Sequence, residues 1–166
     1  MKMSVAALAS IAAAAAVTAA VAGQQQKRSS EVQKDLEVAM KGEAFAYAKY
    51  MLFAEQARAH GHADLATLFE NTAKTERLEH FREHAALAGL ISSSDADNLR
   101  DAIAGETYET SKMYPEMAAR AQKAGDRDAA ARFAEIGKDE SKHRDAFATM
   151  LAKLDGASRK ATGSKR

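Results

Sequence analysis

The stretch IAGETYETSKMYPEM, residues 103–117, has the spacing of a helix that packs against a core, yet its packing side contains two carboxylates. Ile103, Met113 and Met117 fall on one helical face, and Glu106 and Glu109 fall on the same face. Burying an ionised carboxylate costs free energy unless a partner compensates its charge. The stretch therefore predicts a helix whose buried face has a chemical role.

Turn residues divide the chain at regular intervals around this stretch. Gly61, the SSSD run at 92–95, Gly125 and Gly156 interrupt a sequence rich in Ala, Glu, Lys, Leu and Met, which favour helices. The intervals predict four helices of similar length, at residues 31–60, 62–90, 95–124 and 126–155. We therefore predict an all-α fold, a four-helix bundle.

The two halves of the chain repeat each other. Gly42 and Glu43 match Gly105 and Glu106 at an offset of 63 residues. At an offset of 64 residues, three further pairs match: Gly61 with Gly125, Phe69 with Phe133 and Glu76 with Glu140. A helical hairpin used twice would bring equivalent positions together at the centre of a bundle.

Each predicted helix has a glutamate among apolar residues near its middle. These glutamates are Glu43, Glu76, Glu106 and Glu140. A single one would most simply be solvated, but four at matched depth would repel each other in a low-dielectric core. Two divalent metal ions would compensate this charge. Three further donors, each three residues along the same face, are Glu79, Glu109 and His143.

Composition restricts the chemistry of such a centre. The 166 residues contain no cysteine, so thiolate zinc sites, iron–sulfur clusters and thiol nucleophiles are excluded. Carboxylates with one imidazole suit iron or manganese. A formal charge of +1 gives no electrostatic footprint for nucleic acid.

The two ends of the chain differ from the helical part. A lysine near the start, an alanine-rich run and a small-residue end predict a cleaved signal peptide over residues 1–23 and an exported, periplasmic protein. An uncleaved membrane anchor is the alternative for the same run. Residues 24–30 are then a linker, residues 31–155 the bundle, and residues 156–166 a basic disordered tail.

Three motifs resemble those of the rubrerythrin family. GETYETSKMYP (105–115) is similar to that family's third-helix motif, DESKH (139–143) to its fourth-helix motif, and GEAFAYAKY (42–50) to its first. The resemblance implies a ferritin-like di-iron domain, without the rubredoxin-like domain because the chain has no cysteine. It also implies that Glu106 bridges the two metals and that Glu109 is an additional, exchangeable ligand.

The resemblance implies an activity as well. Such a protein would reduce hydrogen peroxide to water at two iron ions, in defence against oxidative stress, with electrons from a rubredoxin-like protein or another external donor. A ferritin-like ferroxidase that handles iron with oxygen is the alternative, and manganese could replace iron. Tyr50 and Tyr114 occupy positions at which family tyrosines hydrogen-bond ligand carboxylates, although simple core packing would also explain them.

The second helix departs from the family pattern. Glu79 stands three residues after Glu76, where a histidine is expected, and His80 follows it. Helical spacing favours Glu79 as the ligand, and His80 remains the alternative. His80 and His84 would otherwise form a solvated surface pair, while His60 and His62 flank a turn and are expected to be exposed.

The short connection between the second and third helices bears on assembly. If these helices run parallel, about six residues remain to cross the bundle, which reach about 20 Å when extended. The bundle itself is about 30 Å long. We therefore predict a homodimer, domain-swapped so that each site takes its two hairpins from different chains. An up-down-up-down monomer is the alternative.

Overall fold

The computed structural model describes residues 28–163, with side chains as far as residue 157. The predicted signal peptide and most of the predicted linker lie outside the described residues. Every regular element within residues 28–163 is helical, which confirms the all-α prediction. No helix in this part of the chain combines the length and apolarity that crossing a bilayer requires.

The helices form four rods. The first rod is α1 (Ser30–Ala59), and the second joins α2 (Ala63–Thr75), a π-helical segment (Glu76–Phe81) and α3 (Arg82–Ala88). The third joins α4 (Asp95–Tyr108), a second π-helical segment (Glu109–Met113) and α5 (Tyr114–Lys123), and the fourth is α6 (Arg127–Gly163). These bounds agree with the four predicted helices to within two residues at all ends except the last.

The end of α6 corrects the sequence-based boundary. The helix continues through Gly156 to Gly163, beyond the end predicted at residue 155. Glycine within a helix costs only about 0.5–1 kcal/mol relative to alanine, so it does not by itself stop a helix. The glycines that do end helices have positive φ angles: Gly61 (80°), Gly89 (67°) and Gly125 (81°).

The rods pair into two compact units, divided between Ile91 and Ser92. In the first hairpin (residues 30–88), α1 packs against the second rod, and Ala54, Ala57 and Ala66 are buried at 1%, 5% and 0% exposure. These small side chains let the two helix backbones approach closely. Phe69 packs against them.

In the second hairpin (residues 95–163), α4 and α5 both pack against α6. The rings of Tyr114 and Phe133 lie 6.4 Å apart, centroid to centroid. A methyl group added at Gly137 would lie 3.1 Å from Cβ of Tyr114, so the two rods approach closely at that point. The predicted pair of repeated helical hairpins is therefore confirmed, and the predicted domain swapping stays a prediction.

Candidate metal centre

The first hairpin brings together Glu43, Glu76 and His80, which we call the first donor group. One ligand atom from each of these residues lies within 4.8 Å of the others. Nδ1 of His80 is 2.7 Å from Oε2 of Glu76. This hydrogen bond is the main cause that raises the pKa of His80 above its ordinary value.

The π-helical segment explains why His80 is in this group. A π-helical turn closes i→i+5 hydrogen bonds and so contains one more residue than an α-helical turn. The residue four positions after Glu76 therefore faces the direction that the residue three positions on would face in an α-helix. The structure accordingly places His80 beside Glu76 and leaves Glu79 outside the group, although both residues are exposed. The spacing argument that favoured Glu79 assumed α-helical geometry.

The second hairpin brings together Glu106, Glu140 and His143, the second donor group. Their ligand atoms also lie within 4.8 Å of one another. Nδ1 of His143 is 2.6 Å from Oε2 of Glu140 and 4.0 Å from Oε1 of Glu106. The two carboxylates are shielded, with side-chain exposures of 20% and 16%, whereas the imidazole is 58% exposed.

Glu106 has a buried carboxylate oxygen without a hydrogen-bond partner. Its Oε2 atom makes no hydrogen bond within the described residues. Desolvation, followed by the negative charge of Glu140, raises the pKa of Glu106 above its ordinary value of 4.5. A cation beside Oε2 would satisfy this atom and offset both causes. Two carboxylates and an imidazole are also donors that suit iron or manganese, so the second donor group fits a bound metal ion.

The other predicted site residues have different surroundings. Glu109 is half-buried and lies outside the three-residue groups, but its charge helps to raise the pKa of Glu106 and of Tyr114. Desolvation is the largest cause for Tyr114. Tyr50 stacks on Phe69, with ring centroids 6.1 Å apart, in agreement with a packing role.

The histidines that the sequence assigned to the surface have different surroundings in the structure. His60 and His62 are exposed at their turn, as predicted. His80 is exposed, as a surface pair with His84 would require, but it is hydrogen-bonded to Glu76, and Nδ1 of His84 is buried. The sequence contained no direct signal for this burial.

The repeat contains a signal for the π-helical segments. Glu43 and Glu106 are 63 residues apart, Glu76 and Glu140 are 64 apart, and the two site histidines are again 63 apart. The third rod gains one residue after Glu106, where it has the segment Glu109–Met113. The second rod gains one residue after Glu76, where it has the segment Glu76–Phe81. Each change of offset therefore coincides with a wider helical turn.

Comparisons with known proteins agree with the motifs. A family model described as Rubrerythrin matches residues 34–151. Rubrerythrin of Porphyromonas gingivalis is 35% identical over 144 residues, covering 79% of this chain and 71% of that protein. Nigerythrin of Nitratidesulfovibrio vulgaris is 34% identical over 134 residues, covering 74% of this chain and 66% of that protein. A solved structure of nigerythrin in a partially reduced state has 31% identity and a TM-score of 0.39, covering 80% of this chain and 72% of that chain.

Proposed function

The chain belongs to the rubrerythrin family, and we propose that it reduces hydrogen peroxide to water with electrons from an external donor. Family membership assigns it to the ferritin-like fold class and to the di-iron oxidoreductases. Peroxide as the oxidant is our proposal. The observation that best supports a di-metal oxidoreductase is the presence of one Glu–Glu–His donor group in each hairpin.

The two donor groups would each hold one iron ion. Glu43, Glu76 and His80 would hold the first, and Glu106, Glu140 and His143 the second. Glu109 stays a predicted additional ligand. Glu79 and His80 are alternatives for one ligand position, and the donor grouping favours His80. Two ferrous ions held by these residues would supply the two electrons that, with two protons, are needed to convert one hydrogen peroxide into two water molecules.

The protein's own residues set the charge around these ions. The orphaned Oε2 of Glu106 offers a negative atom that is already desolvated, so a cation meets no competing hydrogen bond there. Desolvation, followed by the charges of Glu109, Glu140 and Glu106, raises the pKa of Tyr114. The Tyr114 hydroxyl, whose ordinary pKa of 10.0 already keeps it protonated at neutral pH, can donate a hydrogen bond.

Electrons must come from outside the chain. These 166 residues contain no cysteine, so they cannot form a cysteine-ligated iron–sulfur or rubredoxin-like site. A rubredoxin-like protein or another reductant would restore the ferrous state after each turnover. We further propose that this takes place outside the cytoplasm, in defence against oxidative stress.

A domain-swapped homodimer remains our proposal for the assembly. The connection between the hairpins is short, since α3 ends at Ala88 and α4 begins at Asp95. Such a connection can reach only about 20 Å, which supports exchange of hairpins between chains. Size-exclusion chromatography with light scattering should give the mass of a dimer, and a monomer that keeps its full metal content would contradict the proposal.

The activity can be tested by reconstitution and rapid mixing. Protein loaded with ferrous iron under anaerobic conditions should contain two metal ions per site and should oxidise far faster with hydrogen peroxide than with oxygen. Faster oxidation by oxygen, with accumulation of ferric iron, would favour the ferroxidase alternative. Metal analysis of the purified protein would show whether manganese is present, and less than one metal per chain after reconstitution would contradict both functions.

A further inference from the structure

A second buried atom near Glu106 has no hydrogen-bond partner. Within the described residues, the unpartnered buried side-chain atoms are Nδ1 of His84, Oε2 of Glu106 and Oγ1 of Thr110. The last two belong to the same rod and stand four positions apart, so they lie on the same side of it, one turn from each other. Buried polar atoms without partners are uncommon in folded proteins, so the pair requires an explanation.

Thr110 differs in this respect from the hydroxyl residues beside it. Thr107 donates to the carbonyl oxygen of Ile103 at 2.6 Å, and Ser111 donates to that of Thr107 at 2.6 Å. The carbonyl oxygen four residues earlier is the usual hydrogen-bond partner of a hydroxyl within a helix. Thr110 lies in the π-helical segment Glu109–Met113 and makes no such bond. Its hydroxyl is therefore free for a partner outside the helix.

The donor and acceptor balance of the site indicates what that partner is. Glu106, Glu109 and Glu140 can only accept hydrogen bonds when they are ionised, whereas the threonine hydroxyl can donate one. A metal ion would satisfy Oε2 of Glu106, but a hydroxyl needs an acceptor. An oxygen atom of a small molecule bound beside Glu106 would provide this acceptor.

We propose that Thr110 is a substrate-positioning residue, whose hydroxyl donates a hydrogen bond to an oxygen of hydrogen peroxide held beside Glu106. This inference rests on the proposed function. The hydroxyl orients the peroxide and neither gains nor loses a proton. Removing the hydroxyl should therefore weaken binding of the substrate more than it slows the reaction of bound substrate.

The test compares two substitutions at Thr110 with a matched control. Thr110→Val removes the hydroxyl and keeps the shape, and Thr110→Ser keeps the hydroxyl and removes the methyl group. Thr107→Val is the control, because that hydroxyl already has its partner within the helix. Each variant is measured for azide binding to its ferric form by absorbance, for KM and kcat with hydrogen peroxide, and for thermal stability without metal.

Thr110→Val should bind azide about ten-fold more weakly and show a KM for peroxide raised about ten-fold, which corresponds to about 1.4 kcal/mol. Its kcat should change by less than about three-fold. Thr110→Ser and Thr107→Val should both stay within about two-fold of the unmodified protein. Equal azide binding by Thr110→Val and the unmodified protein would overturn the inference, as would equal losses in Thr110→Val and Thr110→Ser, which would indicate packing of the methyl group.

Azide binding separates this inference from the proposed function. If the unmodified protein reacts rapidly with peroxide but the Thr110→Val variant matches it in every measurement, the inference fails and the function stands. If the unmodified protein does not react with peroxide, the proposed function fails. A loss of azide binding in Thr110→Val would then still support a ligand-positioning hydroxyl at this residue.

Discussion

The two hairpins build the same set of donors with different helical turns. In the first, His80 is four residues after Glu76 and the turn between them is π-helical. In the second, His143 is three residues after Glu140 and the turn between them is α-helical. The bond between imidazole and carboxylate is nevertheless almost the same, at 2.7 Å and 2.6 Å.

The comparison shows that the same histidine–glutamate contact can form although the number of residues between the two side chains differs. An inserted residue in an α-helix rotates everything after it by about 100°, which would turn the later side chains away from the facing helix. A π-helical turn absorbs the extra residue locally, and such turns are frequent at functional sites. The second hairpin uses the same device in its third rod, where the wider turn contains Glu109 and Thr110.

The largest effect is expected on the affinity for ferrous iron, when His80 and Glu79 are replaced in turn. His80→Ala should lower the affinity of the first donor group for ferrous iron by more than about 100-fold, since even residues that only support a ligand are worth 10- to 100-fold. Glu79→Ala should change it by less than about three-fold, because Glu79 lies outside the group. Metal titrations of both variants test this. A greater loss in Glu79→Ala would show that α-helical spacing selects the ligand after all.

A smaller effect concerns the stability of the metal-free protein. The raised pKa of Glu106 means that the folded state holds this proton more tightly than the unfolded state, whose pKa is near 4.5. Stability is therefore lost as pH rises through the window between 4.5 and the raised value. Glu106→Gln removes this loss and should raise the Tm at pH 7 by about 2–4 °C, with no gain at a pH below the window.

The matched control for this measurement is Glu116→Gln in the same hairpin. Glu116 is 53% exposed and forms a surface ion pair with Arg120 at 3.5 Å. Its replacement should shift the Tm by less than about 1 °C, because surface pairs contribute little. If Glu106→Gln lowered the Tm of the metal-free protein at pH 7, burial of that carboxylate would not be a source of instability.

The smallest effect is expected for a deletion that gives the first hairpin the same glutamate–histidine spacing as the second. Deletion of Leu78, which is 54% exposed, leaves three-residue spacing between Glu76 and the histidine. The wide turn should become α-helical, and the iron affinity should stay within about three-fold of the original. Deletion of Ala48 from α1 is the control. Because α1 has no wide turn, this deletion should rotate Ala54 and Ala57 away from the second rod and unfold the hairpin, as measured by circular dichroism.

The sequence predicted the helices and most of the donors because both follow from periodic patterns. Apolar spacing and turn glycines located four rods, and the repeat located Glu43, Glu76, Glu106 and Glu140. The sequence favoured Glu79 over His80 because it assumed one helical period along the whole rod, whereas the structure groups His80 with Glu43 and Glu76. The offset changes from 63 to 64 and back to 63 record the two wider turns, and they were visible in the sequence.

Other features depend on packing that a single sequence does not encode locally. The orphaned hydroxyl of Thr110 has no signature, since Thr107 and Ser111 beside it have the same chemistry and ordinary partners. The continuation of α6 beyond Gly156 was missed because a glycine reads as a stop signal unless its φ angle is known. Both depend on backbone conformation rather than on residue type.

The close approach of Gly137 to Tyr114 has a consequence for laboratory evolution of this protein. A single added methyl group at Gly137 would press on Cβ of Tyr114 from 3.1 Å and tilt a phenol that stands among three carboxylates. Because Gly137 is no donor to any ion, a screen aimed at ligand residues would overlook it. Substitution of this one glycine by alanine would instead change the position of the phenol relative to the acids, without altering which atoms bind the metal.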